Sequence, residues 1–223
     1  MTGGLPPVTA VVFDMDGVLV DSEAMNFEAM RRMLAGHGIA YGEADDRRFR
    51  GRRNIDLYAA LRADRAGVPG DDVLDGDYTR TLTAMIRARC TPMAGVPDVL
   101  HALRERGYRL ALASSSAPAV IAETVRALGV GGVFDAVVSG VEVPHGKPAP
   151  DVFLEAARRL GVAPARCLVV EDSRNGLLAA VAAGMACVAV PCAQTRDEHF
   201  AEAHARLESL AGLLDVLPTS PGR

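Results

Sequence analysis

The chain has 223 residues, 49% of them hydrophobic and 23% charged, with a formal net charge of −4. These figures describe a packed globular protein, either one large domain or a core with a smaller insert. They argue against a nucleic-acid binder, and no apolar run approaches the ~20 residues that a membrane helix needs. Met1 to Pro7 lacks the basic and apolar regions of a signal peptide, so a cytoplasmic location is expected.

Val8 to Phe13 is a nearly continuous apolar run, the pattern of a buried strand in a parallel sheet. The stretch 21–92 then breaks the rhythm. It contains no convincing strand, two amphipathic helix candidates (Met25 to Leu34 and Asn54 to Leu61) and glycine-rich joints at 36–38 and 67–70. From residue 93 strands and helices alternate. Helices are expected at Val96 to Arg106, Ala119 to Leu128, Val152 to Leu160 and Asn175 to Ala183, the last ending on Gly184 as a C-cap. Strands are expected at Arg109 to Ser114, Ala136 to Ser139, Cys167 to Val170 and Ala186 to Val190. This alternation implies an α/β fold with a doubly wound, mostly parallel sheet. The core comprises 1–20 and 93–223, and 21–92 is a helical insert. The tail from Pro218 to Arg223 is expected to fray. Cys90, Cys167, Cys187 and Cys192 have no CxxC spacing and read as reduced thiols in or near the core.

In open α/β sheets ligands bind beyond the carboxyl ends of the strands. The first strand delivers Asp14-Met15-Asp16-Gly17 there, the second Ser114-Ser115-Ser116, the third His145-Gly146-Lys147-Pro148 and the fourth Glu171-Asp172. Carboxylates, hydroxyls and an ammonium so placed suit a phosphate ester and a hard divalent cation such as Mg²⁺. Asp14, Asp172 and the main-chain carbonyl of Asp16 are the candidate cation ligands. Asp14 is the candidate nucleophile, forming an aspartyl-phosphate. Lys147 offsets charge on the phosphoryl oxygens, Ser114 hydrogen-bonds one of them, and Asp16 is the acid/base. A calcium loop is a poor alternative, because the twelfth residue counted from Asp14 is Met25 rather than glutamate. Lys147 is the one lysine in a chain whose other basic residues are arginine. A position that stays lysine amid arginines suits a compact point charge rather than a planar fork.

The segments Val12 to Glu23, Ala111 to Ser116, Gly146 to Asp151 and Val170 to Ser173 resemble the four motifs of the haloacid dehalogenase superfamily. The branch is that of β-phosphoglucomutases and of sugar-phosphate or pseudouridine-phosphate phosphatases. The resemblance implies a Rossmann-like core with an inserted helical cap domain over 21–92. It implies Asp14 as nucleophile, Asp16 as acid/base, Ser114 and Lys147 on the phosphate, and Mg²⁺ on Asp14, Asp16 and Asp172, with Glu171 a ligand or a supporting partner. It also suggests that Glu23 contacts substrate, against the plainer reading of a helix-start acid. Dehalogenases lack a carboxylate at the position of Asp16, and the phosphonate hydrolases need a cap lysine that this chain lacks. The mutases place a histidine about ten residues after the acid/base, where Asn26 stands here.

The insert carries Arg47, Arg48, Arg50, Arg52 and Arg53 around Gly51. Either Arg50 or Arg53 reaches a substrate group, as arginine favours bidentate recognition, or the cluster is a solvated turn balanced by Glu43, Asp45 and Asp46. Ser115 is a further candidate for substrate binding. The expected activity is a Mg²⁺-dependent phosphatase on a small phosphorylated metabolite, working as a monomer or weak homodimer without nucleic-acid or membrane partners. A phosphomutase and an inactive phosphate-binding module are the alternatives.

Overall fold

The computed structural model describes residues 5–49 and 53–222. Strand β1 (Ala10–Phe13) is followed by four helices, α1 (Glu23–Gly36), α2 (Glu43–Phe49), α3 (Asn54–Asp64) and α4 (Asp71–Arg89). Then come α5 (Val96–Glu105), β2 (Arg109–Ser114), α6 (Pro118–Leu128), β3 (Ala136–Ser139), α7 (Asp151–Leu160), β4 (Cys167–Glu171), α8 (Arg174–Ala182), β5 (Ala186–Ala189), β6 (Ala205–Arg206) and α9 (Leu213–Val216). The six strands form one sheet in the order β3-β2-β1-β4-β5-β6, and every neighbouring pair is parallel. The α/β, doubly wound reading of the sequence is correct, and β1 lies at the centre, where the direction of winding reverses.

The inner positions of the central strands are apolar because both faces of the sheet are covered. On one face Val11, Phe13, Leu110, Leu112, Leu168 and Val170 pack with α5, α6 and the helices between β1 and α5. On the other face the residues are smaller. Ala10, Val12, Ala111, Ala113 and Val169 meet Phe153 and Ala156 of α7 and Leu177 and Ala180 of α8.

The chain leaves the sheet and returns to it at one place. Val20 bridges Pro92 in antiparallel fashion, and Asp21 N donates to Thr91 O at 3.1 Å. The insert therefore enters and leaves through two adjacent stretches of chain. Its longest helix, α4, turns Leu74, Tyr78, Leu82 and Ile86 inward at i, i+4 spacing. The sequence reading names two helices of the insert as examples, and among the described residues the structure has four.

The tail is tied to the core at two points up to Gly222. Tyr108 Oη donates to Pro218 O at 3.1 Å, and Gly222 N donates to Val8 O at 3.3 Å. No helix among the described residues is long and apolar enough to cross a membrane.

Candidate active site

Asp14 is the first residue beyond β1, and its N–H donates to Val170 O of β4 at 3.0 Å. Two central strands thus fix its backbone. Glu171 ends β4, and Asp172 and Ser173 follow it into α8. Lys147 arrives on the loop between β3 and α7. Its Nζ donates to Asp14 Oδ1 at 2.6 Å and to Glu171 Oε1 at 2.5 Å, and it sits 4.9 Å from the centroid of the Phe153 ring. One oxygen from each of Asp14, Glu171 and Asp172 lies within 4.8 Å of the others, and all three residues are buried.

Three buried carboxylates against one buried ammonium leave an uncompensated negative charge in a dry place, which is costly without a cation. The ionisation behaviour follows. Burial pushes Asp14 up to about 8, against the opposing pull of Lys147 and with Glu171 and Asp16 adding to the rise. Burial, then Glu171, pushes Asp172 well above the usual carboxylate range. For Lys147 burial acts downward, but Asp14 and Glu171 outweigh it and hold the ammonium above its ordinary value. Buried oxygen donors carrying excess negative charge fit a hard divalent cation.

Glu171 is one of the three, yet its oxygens are already engaged. Oε1 accepts from Lys147. Oε2 accepts from Asp172 N at 3.0 Å, Ser173 N at 3.0 Å and Ser173 Oγ at 2.9 Å. Glu171 therefore anchors Lys147 to the start of α8. That packing needs Gly176, where an added Cβ would stand 1.8 Å from Glu171 Oε1. Gly176→Ala should destabilise the protein by about 2–3 kcal/mol through overpacking, although alanine is the better helix former by ~1 kcal/mol. Urea denaturation reads the sign directly, and a stabilised variant would contradict the close approach.

The side chain of Asp16 points away from this cluster. Its Oδ1 accepts from Ser22 Oγ and from Asn26 Nδ2, the latter at 3.1 Å. Its Oδ2 accepts from Ser116 Oγ at 3.1 Å and Ser114 Oγ at 3.5 Å. Asn26 is oriented in turn by Tyr78 Oη, which donates to Asn26 Oδ1 at 3.5 Å. Four donors thus hold the two oxygens of Asp16 in a fixed orientation. Ser114 is fully buried, while Ser115 and Ser116 line the cleft above Asp14, together with Glu23, Asn26, Tyr78 and Lys147.

Among the arginines of the insert, Arg53 lines this cleft. Its Nη1 donates to Val143 O at 3.3 Å and Pro144 O at 3.1 Å, and its side chain lies against Gly146, where a Cβ would come within 2.7 Å of Nε. Arg53 thus ties the insert to the loop that carries Lys147. Arg47 pairs with Glu43 and Arg48 with Asp64, both on exposed surface. Arg50 lies outside the described residues. All four cysteines are free thiols, as expected.

A family model described as a haloacid dehalogenase-like hydrolase matches residues 8–184. The chain belongs to this family. Hexitol phosphatase B of Escherichia coli (strain K12) is 31% identical over 210 residues, covering 92% of this chain and 94% of its own. A phosphorylated carbohydrates phosphatase of Thermotoga maritima is 34% identical over 180 residues, covering 79% and 82%. Among solved structures, CbbY from Rhodobacter sphaeroides in complex with phosphate superposes with a TM-score of 0.85 at 29% identity, covering 92% of this chain and 96% of that one. A mutant of the same protein has been solved in complex with xylulose-1,5-bisphosphate.

Of the residues that the sequence reading named, Asp14, Asp16, Glu23, Arg53, Ser115, Lys147 and Asp172 line one cleft, while Ser114 and Glu171 contact it through Asp16 and Lys147. The sequence reading did not single out Ser22, Tyr78 or Gly176. Gly176 alone carried a signal, as a glycine inside an otherwise alanine-rich helix.

Proposed function

We propose that the protein is a Mg²⁺-dependent phosphatase that hydrolyses a small phosphomonoester of the sugar-phosphate class through an aspartyl-phosphate on Asp14. The observation that carries this reading is the Lys147 ammonium at 2.6 Å from Asp14 Oδ1, on the floor of a cleft that Asp172 also lines. Asp14 attacks phosphorus, forming an Asp14–O–P bond as the ester P–O bond breaks. Asp16 gives its proton to the departing oxygen. Water then attacks the phosphoryl group, Asp16 takes the water proton, and the Asp14–O–P bond breaks to release phosphate. Lys147 offsets negative charge on the phosphoryl oxygens, aided by the hydroxyls of Ser114 and Ser115. Asp14, Asp172 and the carbonyl of Asp16 would hold Mg²⁺, with Glu171 as a supporting partner. When bound, the ion supplies the positive charge that lets a carboxylate approach a phosphate dianion.

The insert, 21–92, is read as a cap over a core of 1–20 and 93–223. Arg53 links the two, and Glu23 faces the substrate's non-phosphate part. The names of the phosphatases of hexitols and phosphorylated carbohydrates support a sugar phosphate. A monomeric or weakly dimeric cytoplasmic enzyme is the corresponding setting. Asn26 disfavours a mutase, because its amide cannot exchange protons as an imidazole would.

Phosphate release from a panel of phosphorylated metabolites tests the reading. Activity should require Mg²⁺ and vanish with EDTA. Conversion of β-glucose 1-phosphate to an isomer without net phosphate release would instead establish a mutase.

The raised carboxylates make a separate prediction. A group whose folded value is raised contributes stability that is present below its unfolded value and lost as pH rises through the folded one. In EDTA the Tm should therefore fall as pH rises from about 4 through about 8, the range spanned by Asp14. Cations compete with protons for the same oxygens, so the Tm increment produced by Mg²⁺ should grow over that range. An increment independent of pH would contradict the assignment of Asp14 and Asp172 as ligands.

A further inference from the structure

We propose that Thr195 and Cys192, on the turn after β5, are positioning residues that lock the Asp172 carboxylate in the orientation needed to hold Mg²⁺. Thr195 is completely buried and Cys192 nearly so. Thr195 Oγ1 and Cys192 Sγ each lie 3.2 Å from the same oxygen, Asp172 Oδ2. The turn is itself closed. Cys192 N donates to Thr195 Oγ1 at 3.1 Å, and Thr195 N donates to Cys192 O at 3.3 Å. Thr195 Oγ1 thus accepts the Cys192 N–H and lies within donating distance of Asp172 Oδ2, with Cys192 Sγ a further neighbour at 3.4 Å.

The opposite side of Asp172 Oδ2 is shaped by the first strand end. A Cβ on Gly17 would stand 2.3 Å from that oxygen. Asp172 Oδ2 is thus pressed between the glycine of the nucleophile loop and two donors from beyond β5. Asp172 Oδ1 takes no hydrogen bond of this kind among the described residues and is the oxygen left for a cation. Hydrogen-bond partners of a ligand carboxylate fix its torsion and raise its affinity, and their loss typically lowers metal affinity about 10- to 100-fold. Cys192 Sγ also lies 3.3 Å from Gln194 Oε1. One thiol proton cannot serve both acceptors, so Thr195 is the stronger of the two positioning groups.

The inference rests on Asp172 as a Mg²⁺ ligand, so binding is measured directly by calorimetry with Mg²⁺ and by the electron-spin resonance of Mn²⁺, without substrate. Thr195→Val keeps the shape and removes the donor. It should weaken Mg²⁺ binding about 10-fold, leave KM for substrate unchanged at saturating Mg²⁺, and be rescued by Thr195→Ser. Cys192→Ala should weaken binding about threefold and Cys192→Ser by less, in line with a shared thiol proton. Metal affinity of Thr195→Val within about twofold of the parent would overturn the proposal. If that variant does not fold, Cys192→Ala is read alone, and unchanged affinity there overturns it equally. A parent protein that binds no Mg²⁺ refutes instead the metal reading of the site.

Discussion

Asp14→Asn should abolish phosphate release, lowering kcat by at least ~10⁴-fold, while leaving the fold intact. The amide is nearly isosteric with the carboxylate, and its oxygen can still accept from Lys147 Nζ, which lies 2.6 Å away in the parent. What is lost is the nucleophile. An amide oxygen does not form a stable phosphoryl ester, and neither Glu171 nor Asp16 can stand in for it. Glu171 is saturated by Lys147, Ser173 and two backbone N–H groups. The Asp16 side chain is turned toward Ser22, Asn26 and Ser116. The same substitution removes one of the three clustered carboxylates. In EDTA at alkaline pH the variant should be at least as stable as the parent, because an ionised, buried Asp14 is the costly state there. Its gain in Tm on adding Mg²⁺ should be smaller. Residual activity within about 100-fold of the parent would exclude Asp14 as nucleophile.

Much of this site was legible because it sits on strand ends. Buried parallel strands are apolar on both faces, so β1, β2, β3, β4 and β5 announce themselves in sequence, and the first polar residue after each falls at the same edge of the sheet. That is why Asp14, Ser114 and Glu171 could be brought together across more than half of the chain. Strand β6, two residues long, has too little pattern to read. Helix α2 buries none of its residues, so it lacks the apolar periodicity that marks a helix. Helix α4 has a clear inward row, but an acidic, glycine-containing first half hides it. The donors around Asp16 come from two separate segments, Ser22 and Asn26 at the start of α1 and Ser114 and Ser116 at the end of β2, and their convergence depends on how the insert folds back over the sheet. Thr195 and Cys192 lie on a turn whose direction no periodicity specifies. For Arg53 the sequence supplied a cation beside the cleft, whereas its contacts with Val143 O and Pro144 O depend on the path of the 143–146 loop.

Lys147→Arg keeps the charge and should still lose at least ~100-fold in kcat/KM, with a destabilisation of about 1–3 kcal/mol from overpacking. The Lys147 side chain is only 2% exposed, and its single nitrogen meets carboxylates from two different strand ends at 2.6 and 2.5 Å. The ring of Phe153 closes one side of it. A guanidinium is wider and planar. It cannot place one nitrogen between Asp14 Oδ1 and Glu171 Oε1 without driving its other nitrogens into those walls. Lys147→Met separates charge from shape. It is close to lysine in shape but leaves Asp14 and Glu171 facing each other without a cation, the kind of broken buried pair that costs about 3–5 kcal/mol. The arginine variant should therefore be the more stable of the two in EDTA and yet nearly as inactive. Arginine is the default cation of this chain, so near-parental turnover by Lys147→Arg would mean that the site tolerates it, and that the lone lysine is an accident of composition rather than a requirement of the phosphoryl site.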